Sequence, residues 1–189
     1  MMKRVLITGG TGYIGSHTAV EFIEAGYEIV IVDNLSNSNI EVLNGIEKIT
    51  GIKPKFHKID LANHIETEDF FKQNNNFDVV IHFAAYKSVG ESVQKPIMYY
   101  RNNIDALINV LEIMKKNQIN NLIFSSSCTV YGQPDELPVT EKSPIKKALS
   151  PYGNTKQIAE EIIQDTINST NNLKSISLRY FNPIGAHDS

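Results

Sequence analysis

A doubly wound parallel α/β sheet with helices on both faces is the fold class that the sequence predicts, and three observations predict it. The chain opens on a short apolar strand that runs through a glycine turn into a segment of helical period. Apolar strands and helical segments then alternate to the end of its 189 residues. One of those strands, Phe77-Asp78-Val79-Val80-Ile81-His82-Phe83, is almost continuously apolar, as a parallel strand covered on both faces requires.

The first strand is Lys3 to Thr8, an apolar run bounded by charge before and glycine after. Gly9-Gly10-Thr11-Gly12-Tyr13-Ile14-Gly15 leads into a helical stretch from Ser16 to Ala25. Gly9 suits a tight turn, Gly12 the close approach of phosphate oxygens, and Gly15 the packing of helix on strand, with a pyrophosphate at the helix N-terminus. The spacing G-x-x-G-x-x-G is a weak signature alone, and the strand before it and the helix after it strengthen it. Gly26 is read as a C-cap and Glu28 to Val32 as the second strand, ending at Asp33. About twenty residues past the glycines, a carboxylate accepts from a ribose 2′-hydroxyl and repels a 2′-phosphate. No lysine or arginine lies between Asn34 and Val42, so NAD is expected over NADP.

Ile40 to Ile49 reads as a helix closed near Gly51, and Lys55 to Ile59 as a third strand ending in Asp60. That carboxylate either faces an adenine or serves as a turn acceptor. A short helix is expected from Thr67 to Asn74, with Glu68 and Asp69 in its first turn against the dipole. The strand through His82 opens onto Ala84-Ala85, small enough for a cofactor to pass over, and His82 itself reads as a core residue. Met98 to Met114 carries Ile104, Leu107, Ile108, Leu111 and Met114 at helical spacing, the core face of a helix on the sheet. Asn121 to Phe124 is a fifth strand that ends in Ser125-Ser126-Ser127. A proline- and lysine-rich loop covers 132–150, a long helix runs from Pro151 to about Ile167, and Ser175 to Tyr180 is a sixth strand.

Tyr152 and Lys156 stand four apart on one helix and share a face. A phenol needs its pKa lowered from about 10 to act as a base near neutrality. A neighbouring ammonium and a positively charged nicotinamide favour the phenolate. Ser127, at the end of the neighbouring strand, is placed to bond the same substrate hydroxyl. The three suit hydride transfer, with Tyr152 taking a hydroxyl proton while the carbinol hydride moves to a nicotinamide.

Composition narrows the partners. The formal charge is −3, 41% of residues are hydrophobic, and no basic tract exceeds pairs such as Lys115-Lys116, so no nucleic-acid partner is expected. No apolar run is long enough for a membrane span or a signal peptide. A single cysteine, Cys128, fits a reducing, cytoplasmic compartment. No metal site is assigned.

These motifs make the chain similar, over essentially its whole length, to the N-terminal cofactor-binding part of the UDP-glucose 4-epimerases, which are extended short-chain dehydrogenase/reductases. The glycine loop and the Tyr152/Lys156 pair carry the superfamily likeness. The stretch Lys87-Ser88-Val89-Gly90-Glu91-Ser92-Val93-Gln94-Lys95-Pro96 and the stretch Tyr180-Phe181-Asn182-Pro183 are far more specific. The resemblance implies a Rossmann-type NAD-binding domain over 1–180 and, at 181–189, the start of a C-terminal substrate lobe that is largely absent. It implies NAD contacts from Gly9, Gly12, Tyr13, Ile14, Gly15, Asp33, Asn34 and Asp60. Further contacts fall to Phe83, Ala84, Lys87, Asn102, Ser125, Tyr152, Lys156 and Tyr180. Ser127, Tyr152 and Asn182 would meet a UDP-sugar. Ser127, Tyr152 and Lys156 would be catalytic. Tyr152 would take the sugar's 4-hydroxyl proton as hydride leaves C4, and return it after the 4-keto sugar turns over. Bland readings stand beside three of these: surface for Lys87, a helix cap for Asn102, and a turn residue for Asn182.

Related 4,6-dehydratases and decarboxylases carry acidic residues just before Val-Tyr-Gly. This chain has Cys128-Thr129 there, which favours epimerase chemistry. Ile59-Asp60 replaces the usual Gly-Asp pair, a departure on the adenine side. The chain's length leads to the expectation of a truncated enzyme that holds NAD, turns over negligibly and self-associates, as a homodimer or otherwise, through its uncovered apolar surface. The alternatives are another nucleotide-sugar epimerase, acting on N-acetylated or uronic sugars, and a non-catalytic NAD-binding module.

Overall fold

The computed structural model describes residues 2–170 and 172–187. Six parallel strands form one sheet: β1 (Arg4–Thr8), β2 (Glu28–Asp33), β3 (Lys55–Lys58), β4 (Val79–His82), β5 (Asn121–Ser127) and β6 (Lys174–Tyr180). Their order is β3-β2-β1-β4-β5-β6. The helices are α1 (Tyr13–Glu24), α2 (Val42–Thr50), α3 (His64–Gln73), α4 (Val89–Gln94), α5 (Pro96–Lys116) and α6 (Pro151–Thr170), with a short 3-10 turn at Cys128–Tyr131. The expected architecture is therefore the observed one.

Strand alternation divides the core in two. Leu6, Val30, Val32, Val80, Leu122 and Phe124 face α3, α5 and α6, where Phe70, Phe71, Leu107, Val110 and Ile163 complete one apolar layer. Val5, Ile7, Ile29, Ile31 and Ile81 face α1 and α2 through Ala19, Val20, Ile23, Leu43 and Ile46. The second layer does not reach β6, whose Ile176 and Leu178 stay exposed, as do Phe181 and Ile184 beyond it.

Several boundaries move for stated reasons. The helix expected from Thr67 begins at His64, because the Asn63 side chain accepts from the amides of Ile65 and Glu66 at 3.1 and 3.4 Å. Glu66 answers by accepting from the Asp60 amide at 3.1 Å and the Asn63 amide group at 2.8 Å. This reciprocal cap makes Glu66 the acid of the first turn, in place of Glu68 and Asp69. Those two instead pair with Lys72 and Lys116 on the surface. α4 was not expected; Ser88 caps it by accepting from the Glu91 amide. α1 starts at Tyr13 rather than Ser16, since Gly12 is extended and serves as its N-cap. Of the segment expected to open a second lobe, Asp188 and Ser189 lie outside the described residues.

His82 is a core residue. It is 2% exposed, and its Nδ1 shares a 2.8 Å hydrogen bond with Thr8 Oγ1. Burial, helped by the Lys156 charge, pushes its pKa from 6.5 down to about 3. The unfolded chain thus binds a proton that the native state refuses, and stability rises with pH through that window. Acidification from pH 6.5 to 3 is expected to remove on the order of a few kcal/mol through this residue. Melting temperature against pH should flatten over that range in His82→Gln, and a profile as steep as the parent's would count against the assignment.

No helix among the described residues is long and apolar enough to cross a membrane.

Candidate active site

The order of strands reverses between β1 and β4, and a crevice opens at their carboxyl ends. Gly9 leaves β1 at φ +67°, and a Cβ there would stand 2.7 Å from the Ala84 amide nitrogen at the end of β4. Only glycine lets the two strand ends approach so closely. Gly15 is as constrained, for its Cβ would lie 2.4 Å from the Gly9 carbonyl oxygen. The Gly12 amide donates to that same carbonyl at 3.1 Å. α1 has no side-chain cap, so the amides of its first turn, Tyr13 and Ile14 included, are left for an outside acceptor. A diphosphate fits such a terminus by charge and by donor geometry.

Every residue assigned to cofactor or substrate from the sequence lines one cleft of about 700 Å³ above this loop. Asp33 sits at its β2 edge, where three donors bind its carboxylate. Its Oδ1 accepts from the Leu35 amide at 2.9 Å and Ser38 Oγ at 3.1 Å, and its Oδ2 from the Thr11 amide at 3.3 Å. Asn34 turns the next residues by accepting from the Ser36 amide at 3.0 Å. Asp60 lines the cleft and is a turn acceptor, for the Ala62 amide at 3.1 Å. Phe83, Ala84 and the exposed Lys87 form the wall after β4. Asn102 is half-buried on α5 and donates to its neighbour Asn103 at 2.9 Å.

The far end of the cleft gathers Ser125, Ser127, Tyr152, Lys156, Tyr180 and Asn182. Tyr152 is raised above its ordinary 10 by burial, opposed by a hydrogen bond with the Ser127 side chain. Lys156 is 5% exposed, donates to the Ser125 carbonyl at 2.7 Å, and rests 4.8 Å from the centroid of the Phe124 ring. Burial pushes its pKa down to about 8, partly offset by the Glu160 charge. Its ammonium lies 6.0 Å from the Tyr152 ring centroid. The expected lowering of the phenol by Lys156 is not seen; desolvation dominates, and the Tyr152 phenol rests protonated.

The model of the NAD dependent epimerase/dehydratase family matches residues 5–189. The chain belongs to that family. UDP-glucose 4-epimerase 2 of Arabidopsis thaliana is 50% identical over 192 residues, a match that covers 100% of this chain and 54% of that protein. UDP-glucose 4-epimerase of Bacillus subtilis is 47% identical over 185 residues, covering 98% and 54%. The crystal structure of UDP-glucose 4-epimerase from Bifidobacterium longum in complex with NAD+ and UDP superposes with a TM-score of 0.95 at 45% identity, over 98% of this chain and 55% of that one. The chain spans about half the length of the curated relatives it matches.

Within this epimerase/dehydratase family member, some residues around the cleft gave no signal in the sequence. Ser38 ties Thr11 to Asp33, meeting Thr11 Oγ1 at 2.7 Å. Asn103 clamps the wall after β4, accepting from the Tyr86 amide at 2.8 Å and donating to the Tyr86 carbonyl at 3.0 Å and Thr155 Oγ1 at 3.2 Å. Glu160 and Arg179 form an ion pair behind the serines. The capping pattern Ser88-x-x-Glu91 was a readable sign of α4. An isolated serine after a strand carries no comparable pattern.

Proposed function

We propose that this chain is the NAD-holding half of a UDP-glucose 4-epimerase, in which Tyr152 moves the proton of the sugar's 4-hydroxyl. The observation that supports it most directly is one cleft with an uncapped glycine loop at one end and Tyr152, Lys156 and Ser127 at the other. When bound, NAD would supply reversible hydride transfer at C4 of the sugar. Gly12, Tyr13 and Ile14 would hold its diphosphate, Asp33 and Asn34 its adenosine ribose, and Lys87, Asn102 and Tyr180 the nicotinamide side. Lys156 would steady the nicotinamide ribose.

Burial keeps Tyr152 protonated at rest, so its phenol begins as a donor to the sugar oxygen. Positive charge placed beside it in the loaded site would lower that pKa, so that the phenol gives its own proton to solvent and the phenolate can accept the 4-hydroxyl proton. Ser127 then shares the hydroxyl, and the same phenol returns the proton, so one amphoteric group serves both directions. Cys128 and Thr129 line the cleft where a related dehydratase would need acids, which supports epimerisation over elimination. Asn182 and Phe181 are exposed, so a UDP-sugar at Tyr152 meets protein on one side and water on the other. The exposed apolar stripe of Ile176 and Leu178 supports self-association as part of this reading.

The test is to denature the purified chain, identify the released nucleotide by absorbance and mass, and offer UDP-galactose to the intact chain. Stoichiometric NAD with slow or no conversion is expected. A folded chain that carries no NAD and takes none up would overturn the reading.

A further inference from the structure

We propose that Tyr99 is a positioning residue for Lys87, holding in place the one exposed cation among the described residues that line the cleft. The inference rests on reading the cleft as an NAD site.

Lys87 stands between β4 and α4, directly before Ser88, the N-cap of α4. Ser88 and Glu91 have the residue types and spacing of a reciprocal cap. In such a cap the serine oxygen takes the amide three residues on, and the glutamate reaches back to the serine amide. The first half is made directly, with Ser88 Oγ accepting from the Glu91 amide at 3.3 Å. The second half is made through a third residue. The Ser88 amide donates to Tyr99 Oη at 3.1 Å, and Tyr99 Oη donates to Glu91 Oε2 at 2.9 Å. The Tyr99 phenol is thus inserted between the two partners of the cap.

That insertion fixes the direction of both bonds. An amide only donates, so the phenol oxygen accepts from Ser88 and its proton goes to Glu91. Lys95 Nζ holds Glu91 Oε1 at 3.0 Å and, with the phenol, keeps this carboxyl below its ordinary range. Burial and the Glu91 carboxylate push the Tyr99 phenol up, so it remains a donor. A charged acceptor polarises the phenol and strengthens its hold on the amide. Tyr99 is 0% exposed on α5, so the cap is tied to the core and not to the surface.

The other flank of Lys87 is held from the same helix face. Asn103, one turn after Tyr99, bonds both the amide and the carbonyl of Tyr86, at 2.8 and 3.0 Å. The backbone on each side of Lys87 is therefore bonded to a buried side chain of α5. An exposed lysine keeps its rotamer freedom, so what the fold can fix is its root. Fixing the root confines the ammonium to the cleft wall, where a dinucleotide brings the negative charge of its diphosphate.

The test is NADH affinity, read from nucleotide fluorescence on titration of the full chain, with urea unfolding beside it. Lys87→Met should weaken binding about tenfold, the size of one charge-assisted hydrogen bond. Tyr99→Phe keeps the ring in the core and loses only the hydroxyl, and should weaken binding about threefold to tenfold. Glu91→Ala removes the acceptor of the phenol at a solvent-accessible position, and should act in the same direction. Neither change should weaken binding further in a chain that already carries Lys87→Met. A residue needed only for folding would add its effect to that of Lys87→Met, and such additivity would overturn the proposal. So would parental affinity in Lys87→Met or in Tyr99→Phe; should the latter fail to fold, Glu91→Ala decides in its place. All of these outcomes leave the NAD site standing, whereas a folded parent chain that binds no NADH would remove the site and this role of Tyr99 together.

Discussion

Gly15→Ala is expected to cost the chain roughly 100-fold in NAD affinity, equivalent to about 3 kcal/mol. The added methyl would lie 2.4 Å from the Gly9 oxygen and 2.8 Å from the Gly10 Cα. Both are backbone atoms, so no side-chain rotation relieves the contact, and the turn itself must move. That turn is tied at two points, by the Gly12 amide to the Gly9 carbonyl at 3.1 Å and by the Gly9 amide to the Val32 carbonyl at 2.8 Å. Shifting it displaces the donors that a diphosphate needs. The effect on stability is smaller, because two terms oppose each other. Overpacking costs about 1–3 kcal/mol, while alanine in a helix returns up to about 1 kcal/mol over glycine. Calorimetric titration with NAD beside urea unfolding separates the two, and near-parental affinity in a folded variant would show that Gly15 is not needed for the turn.

Arg179→Ala is expected to lower stability by about 3 kcal/mol, the range for breaking a desolvated ion pair from one side. Arg179 Nε and Nη2 grip Glu160 Oε1 and Oε2 at 3.0 and 2.7 Å, and its Nη1 donates to the Tyr131 hydroxyl at 3.0 Å. The two charged side chains are only 22% and 14% exposed. Glu160 also accepts from Ser126 Oγ, so the pair pins the end of β5, with Ser125 and Ser127 on either side. Removing the guanidinium leaves a half-desolvated carboxylate with one hydroxyl donor. The more exposed pairs of Lys72 with Glu68 and Asp69 should each contribute far less, because solvent screens them. Urea unfolding of Arg179→Ala gives the value directly, and the double variant Arg179→Met/Glu160→Met should recover much of the loss. A loss below about 1 kcal/mol in the single variant would mean that the pair behaves as a surface one.

Residues that act through their neighbours in sequence were legible before any fold was known. The glycine turn, the acid at the end of β2, the helical spacing of Tyr152 and Lys156 and the serines ending β5 all express local periodicity or local backbone need. The Asn63-x-x-Glu66 cap was legible in principle as well, though the later carboxylates drew the helix start forward to Thr67. The bonds of Ser38, Asn103 and Arg179, and that of Tyr13 with Gly185, were not legible. Each joins segments whose proximity depends on which strand lies beside which.

The sequence by itself determined the strands, every helix but α4, their parallel character and the amino acids available at each strand end. The tertiary structure alone decided the order β3-β2-β1-β4-β5-β6, which brings Gly9 against Ala84 and sets Glu160 behind the serines. It also decided charge state, raising Tyr152 and lowering Lys156 by burial. The reason is physical. Periodicity records which face of a segment is apolar, whereas desolvation and long-range hydrogen bonds depend on what the packed sheet finally places against that face.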